Sequence, residues 1–201
     1  MELNSLLKET IQNAAEEASH VLQKWLKAPI RITMEGVAFI PIKEVVERSG
    51  KPDDVSVAIV HRVEKGLEGI LFLLITEESA GDLISLLMKQ AHEEGEFTEM
   101  EQSALMETSN ILSSSYMNCL RKSLGLEMIP GPPIFLHDLT QAIISSLMLE
   151  QASYQDESLF IDILFHMEGG PMGLRFFYLP VVESLKKLLS HSASVTGEAS
   201  L

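Results

Sequence analysis

The chain has 201 residues, 46% of them apolar, which suffices for the core of one large domain or two small ones and argues against disorder. Its 15 Lys+Arg against 29 Asp+Glu give a net charge of -14, which opposes binding to nucleic acid or anionic membranes and favours a basic protein surface as partner. The single cysteine, Cys119, excludes an internal disulfide framework and a cysteine-based zinc site.

The N-terminal part of the chain predicts a long helix. Apolar residues recur at helical spacing as far as Trp25, and Pro29 ends the pattern. This segment lacks the basic start and continuous apolar run of a signal peptide, and no apolar run approaches the ~20 residues of a membrane span. We therefore expect a cytoplasmic protein. Two short β-branched runs follow, at residues 30–33 and 37–40.

The rest of the first half predicts a short helix, a hairpin and another helix. Residues 43–48 form the helical turn, and two apolar runs, 55–63 and 67–75, flank a turn that contains Gly66. Thr76 is placed to cap the helix that follows, over residues 79–90.

The second half opens with a long helix that carries clear end signals. Thr98 and Glu101 stand in capping-box relation, and Gly125 suits the residue that follows the last turn. The elements predicted after it are, in order, a strand at 134–136, a helix over 140–150, a hairpin of strands 158–167 and 172–179, and a helix over 181–189. The polar tail from residue 192 is predicted to be disordered.

The two halves repeat each other. Ser5 and Glu9 match Ser103 and Glu107 at an offset of 98. Four residues of the first hairpin match four of the second at an offset of 104: Glu64, Gly66, Gly69 and Phe72 match Glu168, Gly170, Gly173 and Phe176. We therefore predict one α+β domain made of two repeats, about 1–92 and 97–191, related by a pseudo-two-fold axis. The hairpins should share one largely antiparallel sheet flanked by long helices.

One polar stripe of the second long helix is a candidate site. Ser103, Glu107 and Asn110 are spaced i, i+4 and i+7, so they share one helix face. A solvated face is the ordinary explanation of such a stripe, although asparagine is a poor helix former in mid-helix. A carboxylate and a carboxamide could instead anchor a partner's cation and orient a water. The six histidines show no metal-binding spacing, and no metal site is expected.

The same residues resemble a family signature. Ser103-x-x-x-Glu107-x-x-Asn110, followed after 22 residues by Pro133, is similar to the motif of the CheC/CheX/FliY phosphatases of bacterial chemotaxis. The segments SALMETSNILSSSYMNCL and IPGPP resemble the second repeat of CheC. The length and the duplication of the chain fit the same family.

The resemblance implies hydrolysis of the aspartyl phosphate of a CheY-type response regulator. Glu107 would pair with a lysine of the regulator, and Asn110 would orient the hydrolytic water. Ser103 would be a peripheral member of the motif and Pro133 a structural one. The chain would need no cofactor of its own, because the Mg²⁺ belongs to the regulator. Members of this family can also bind the receptor deamidase CheD.

The first repeat departs from the signature. Ser5 and Glu9 are in place, but Gln12 occupies the asparagine position and Glu35 the proline position. Asn13 is one residue off, about 100° around the helix. We expect this second site, Glu9 and Gln12, to be weak or inactive. The degenerate motif keeps an alternative open: a non-catalytic adaptor that binds a response regulator or CheD, or a module like the flagellar switch proteins.

Overall fold

A computed structural model describes residues 5–93, 95–152, 156–167, 170–181 and 183–184. The helices of this part are α1 (Ser5–Leu26), α2 (Ile42–Ser49), α3 (Glu77–Met88), α4 (Glu99–Leu124) and α5 (Thr140–Ala152). The strands are β1 (Arg31–Pro41), β2 (Val55–Val63), β3 (Gly69–Thr76), β4 (Ile134–Leu139), β5 (Glu157–Met167) and β6 (Gly170–Pro180). The helix predicted over residues 181–189 lies mostly, and the tail from 192 entirely, outside the described residues. None of the described helices is long and apolar enough to cross a bilayer.

The six strands form one sheet in the order β1-β5-β6-β3-β2-β4, and every neighbouring pair is antiparallel. The predicted α+β fold with an antiparallel sheet is therefore confirmed. Each strand of the first half has a counterpart in the second: β1 corresponds to β4, β2 to β5 and β3 to β6. Exchanging counterparts gives the same strand order read from the other edge of the sheet. The axis of this pseudo-two-fold symmetry falls between β3 and β6. Among the described strands, the outer strand of each half pairs only with a strand of the other half.

Helices cover both faces of the sheet. One apolar core joins α1, α3 and α4 to one face, and a second core joins α2 and α5 to the other. Because both faces are covered, β2 and β3 are buried over most of their length, as their continuous apolar runs indicate. The two long helices, α1 and α4, therefore lie side by side on the same face.

Local capping chemistry sets the helix ends where the sequence predicts them. The Thr98 hydroxyl accepts from the Glu101 amide, and the Glu101 carboxylate accepts from the Thr98 amide at 2.7 Å, which is a complete capping box. Gly125 ends α4 with φ 67, in the left-handed region that favours glycine. Thr76 caps α3 by accepting from the Ser79 amide.

Both edge strands are longer than the sequence pattern predicts. The runs at 30–33 and 37–40 belong to one strand, β1, whose register shifts between Met34 and Gly36. The shift interrupts the alternation without interrupting pairing to β5, so the two runs are parts of a single strand. Likewise β4 continues beyond residue 136 to Leu139, because it stays paired with β2 as far as Val55.

The matching glycines Gly69 and Gly173 lie where the two halves approach closely. A Cβ on Gly69 would lie 2.3 Å from the Leu179 carbonyl oxygen, and one on Gly173 would lie 2.3 Å from the Thr76 hydroxyl oxygen. Both glycines lie within strands at the β3–β6 junction. A turn or bulge is thus not their reason; only a residue without a side chain fits where the two central strands meet.

Replacing Gly69 by alanine is expected to destabilise the fold by about 1–3 kcal/mol, because the clash is with backbone that cannot turn away. Gly36→Ala is the matched control: it also lies in a strand, and a Cβ there meets nothing within 4 Å. Urea denaturation followed by circular dichroism compares the two variants. Equal midpoints for Gly69→Ala and wild type would contradict the close-approach explanation.

Candidate functional site

Helix α4 carries the candidate residues on one outward face. Glu107 is exposed and Asn110 is half-buried, one helical turn apart. Neither side chain makes a hydrogen bond or an ion pair with the part of the chain that the structure describes. Ser103 is exposed on the same face, and its hydroxyl donates to the Glu99 carbonyl oxygen at 2.7 Å. Glu107 and Asn110 are thus both free to contact a partner, whereas the Ser103 hydroxyl is already engaged.

The two residues between them fix the rotation of the helix. Thr108 and Ser109 point inward and are fully buried. The Trp25 indole nitrogen on α1 donates to the Thr108 hydroxyl at 3.1 Å. A ring nitrogen of His61 on β2 lies 3.1 Å from the Ser109 hydroxyl oxygen. These two hydrogen bonds hold the inner side of α4 to α1 and to the sheet, so the opposite side must present Glu107 and Asn110.

Trp25 belongs to this surface although its spacing places it with the apolar stripe of α1. Trp25 is 39% exposed, and its indole nitrogen is hydrogen-bonded to Thr108, the residue that follows Glu107 in α4. Large aromatic rings of this kind are common anchors in protein interfaces.

The start of α4 is held by a histidine from the preceding loop. His92 Nδ1 lies 2.8 Å from Glu101 Oε1, and the imidazole stacks on Phe97. The hydrogen bond with His92 lowers the pKa of the Glu101 carboxyl, and the hydrogen bonds from Thr98 add to this effect. Together they outweigh partial burial, which alone would raise the pKa. The carboxylate is therefore ionised at neutral pH and serves the capping box and His92 together.

The loop that carries Pro133 is attached to β2. Pro133 is half-buried in the segment between α4 and β4. Two residues before it, the Gly131 amide donates to the Arg62 carbonyl oxygen at 2.7 Å, and Pro130 forms a β-bridge with Val63. Pro133 thus follows a segment whose position is fixed by the end of β2.

The corresponding face of α1 is built differently. Glu9 and Gln12 are exposed, but the Gln12 carboxamide donates to Glu16 Oε1 at 3.1 Å. The residue of α4 that corresponds to Glu16 is Ser114, which offers no carboxylate to Asn110. Glu35, at the proline position, is exposed on β1. The amide of the first face is therefore engaged within its own helix, whereas that of the second is free.

Asn13 does not replace Gln12 on that face. It lines a groove between α1 and α4, together with Cys119 and Lys122 from the far end of α4. The same groove and the Trp25–Thr108 contact show that the two helices run antiparallel. The two candidate faces consequently lie at opposite ends of the helix pair.

Within the described ranges, no three His, Cys, Asp or Glu side chains are grouped so that they could hold a metal ion. The nearby pair of Glu101 and His92 is engaged at the N-terminal cap of α4.

Comparison with known proteins agrees with the motif. The model of the CheC-like family matches residues 100–137, which contain the whole of Ser103 to Pro133. The CheY-P phosphatase CheC of Bacillus subtilis is 25% identical over 189 residues, covering 91% of this chain and 90% of that protein. These matches confirm the resemblance to the CheC/CheX/FliY family.

Solved structures show that the fold is shared. FliY of Thermotoga maritima superposes with a TM-score of 0.74 at 20% identity, covering 96% of this chain and 99% of that one. The CheX–CheY–BeF3–Mg²⁺ complex of Borrelia burgdorferi matches with a TM-score of 0.57 at 17% identity, over 86% and 96%. The FliM middle domain of H. pylori matches with a TM-score of 0.62 at 17% identity, over 92% and 95%. The same architecture thus occurs in FliY, in the CheX–CheY complex and in the FliM middle domain.

Proposed function

We propose that this chain is a phosphatase that hydrolyses the aspartyl phosphate of a CheY-type response regulator, with α4 as the docking helix. The observation that carries the proposal is the state of two side chains: Glu107 and Asn110 face outward, unengaged, on a helix whose inner side is fixed by Trp25 and His61. The match to the CheC-like family covers this same segment.

Asn110 is the group proposed to orient the water. A carboxamide both donates and accepts hydrogen bonds, so it can hold a water in line with a phosphoryl group without acting as a strong base. Being half-buried restricts its rotamers, which favours a defined direction for the amide. The Mg²⁺ required for stabilising the phosphoryl group would come with the regulator.

Glu107 is the group proposed to set the docking register. It is an exposed carboxylate one turn from Asn110, and a lysine of the regulator is its expected partner. The net charge of -14 makes such a specific cation contact important, because the rest of the surface would repel an acidic partner. Trp25, which is 39% exposed and hydrogen-bonded to the residue after Glu107, offers further contact area to the regulator.

The face of α1 is proposed to contribute little. Using Gln12 would require breaking its hydrogen bond to Glu16, and the Glu16 carboxylate would then face the regulator's phosphoryl group. The longer glutamine side chain also loses more rotamer freedom on docking than asparagine.

The test follows the lifetime of regulator phosphate. CheY-type regulators of the source organism are phosphorylated with a radiolabelled small-molecule phosphodonor, desalted and incubated in Mg²⁺ with and without the chain. A substoichiometric amount of the chain should accelerate loss of label through many turnovers. An unchanged lifetime for every regulator that binds would refute the enzyme.

That outcome would favour the alternative, a non-catalytic adaptor for a response regulator or CheD. The shared fold of the FliM middle domain and the engaged Gln12 on α1 are the observations behind this alternative. A pull-down that retains the regulator at unchanged phosphate lifetime distinguishes it from the phosphatase.

A further inference from the structure

His61 is a buried imidazole that the proposed function does not use. It lies on β2, on the sheet face that packs against α4, and it is fully enclosed. Its neighbours on that face of β2 are apolar: Val57, Ile59 and Val63 are all buried in the same core. A polar ring among them needs a partner at each nitrogen, because an unpaired buried nitrogen is costly.

Both partners are present, and they fix the tautomer. Nδ1 lies 2.9 Å from the Gly131 carbonyl oxygen, and Nε2 lies 3.1 Å from the Ser109 hydroxyl oxygen. A carbonyl oxygen only accepts, so Nδ1 must carry the hydrogen and Nε2 must accept from the Ser109 hydroxyl. Burial lowers the pKa of the imidazole, which keeps the ring in this neutral form.

The two partners belong to the two ends of the family motif. Ser109 directly precedes Asn110 on α4, and Gly131 lies two residues before Pro133 in the following loop. One imidazole therefore joins the helix that carries the proposed catalytic amide to the loop that ends the motif. The three segments meet at a residue that lies outside the motif itself.

We propose that His61 is a positioning residue: through its hydrogen bond to Ser109 it holds α4 in the rotation that aims Asn110 at the regulator's phosphoryl group. This inference rests on the proposed function. The hydrogen bond from Ser109 adds a directional restraint that packing alone does not provide, since apolar contacts tolerate small rotations of a helix.

Ser113 provides an internal comparison. It lies one turn after Ser109 on the same buried side of α4, yet its hydroxyl has no hydrogen-bond partner in the described part of the chain. A buried serine on this face thus does not require a histidine for the helix to form. The partner at Ser109 serves the position that neighbours Asn110.

The test compares Ser109→Ala with Ser113→Ala. Each removes one buried hydroxyl from the same face, but only Ser109→Ala breaks the bond to His61. We expect Ser109→Ala to lower kcat for regulator dephosphorylation roughly 10- to 100-fold, the effect of misaiming a catalytic group by up to about 1 Å. KM should change less than about twofold, because Glu107 still docks the regulator. Ser113→Ala should retain wild-type kcat and KM.

Two substitutions of His61 separate its bonds. In His61→Gln the side-chain amide can reach the position of Nε2 and keep the hydrogen bond with Ser109. In His61→Asn it can reach the position of Nδ1 and keep the hydrogen bond with Gly131. The proposal expects His61→Gln to retain more turnover than His61→Asn. Equal kcat in both, or a kcat loss shared by Ser113→Ala, would indicate a structural role only and overturn the proposal.

A second readout does not depend on phosphatase activity. In ¹⁵N NMR, the side-chain amide of Asn110 should lose order in Ser109→Ala and keep it in Ser113→Ala. If wild type proves inactive towards all regulators while this difference appears, the proposed function fails but the positioning holds. An Asn110 amide with the same order in both variants would refute the positioning whatever the activity.

Discussion

Replacing Asn110 with alanine is expected to slow dephosphorylation of the regulator by about 10²–10⁴-fold, the contribution typical of a positioned group in proton transfer. The loss should appear in kcat, because the variant still presents Glu107 to the regulator. The side chain makes no hydrogen bond within the described chain, and alanine is the better helix former, so the substitution should not lower the unfolding midpoint. Turnover of radiolabelled regulator at several concentrations separates kcat from KM.

Asn118→Ala is the matched control for that substitution. It removes an exposed asparagine from the same side of the same helix, about two turns beyond Asn110 and outside the motif. It should retain full activity. A further Gln12→Ala substitution measures how much of the activity left in Asn110→Ala comes from the face of α1. An Asn110→Ala variant as fast as wild type would show that the mechanism is wrong.

Replacing Glu107 with alanine is expected to raise KM about tenfold or more while kcat changes little. A docking ion pair that becomes desolvated in the complex couples by more than ~1.4 kcal/mol, which corresponds to a factor of ten in binding. The defect should grow smaller at high salt, where the wild-type pair is itself weakened. The same concentration series used for Asn110 measures it.

Two further variants make the Glu107 experiment specific. Glu47→Ala removes an equivalent exposed carboxylate from α2, on the opposite side of the sheet, and should leave KM unchanged. Glu107→Lys should abolish docking, and a regulator in which the partner lysine is replaced by glutamate should restore it. If Glu107→Ala lowers kcat at unchanged KM, the division of roles between Glu107 and Asn110 is incorrect.

Much of the fold could be predicted because its signals are local. Thr98, Glu101 and Gly125 specify the ends of α4 through contacts within one turn, and the β2–β3 hairpin follows from two apolar runs around one glycine. The extent of β1 could not be predicted, because the register shift near Gly36 breaks the pattern while pairing to β5 maintains the strand. The close approach at Gly69 depends on β6, far along the chain.

The candidate site likewise has a part that the sequence predicts and a part that it does not. The spacing of Glu107 and Asn110 is a property of one helix, so the sequence alone indicates that they share a face. The groups that orient this face come from elsewhere: Trp25 and His61 are 83 and 48 residues from their partners on α4. Trp25 at helical spacing is indistinguishable from a core residue, and a single histidine in a strand gives no signal. Only the assembled fold shows these contacts.

The pairing of the outer strands has a consequence for how the chain folds as it is made. Within the described residues, strand β1 pairs with β5 alone, so Pro41 cannot pair until Glu157 has been synthesised. At 5–20 residues per second, this interval is on the order of 10 s. During that time the β2–β3 hairpin can form beside the ribosome, whereas β1 has no strand to join. Strand β1 is thus synthesised well before the strand that pairs with it, and during this interval its unpaired edges expose the nascent chain to aggregation or chaperone capture.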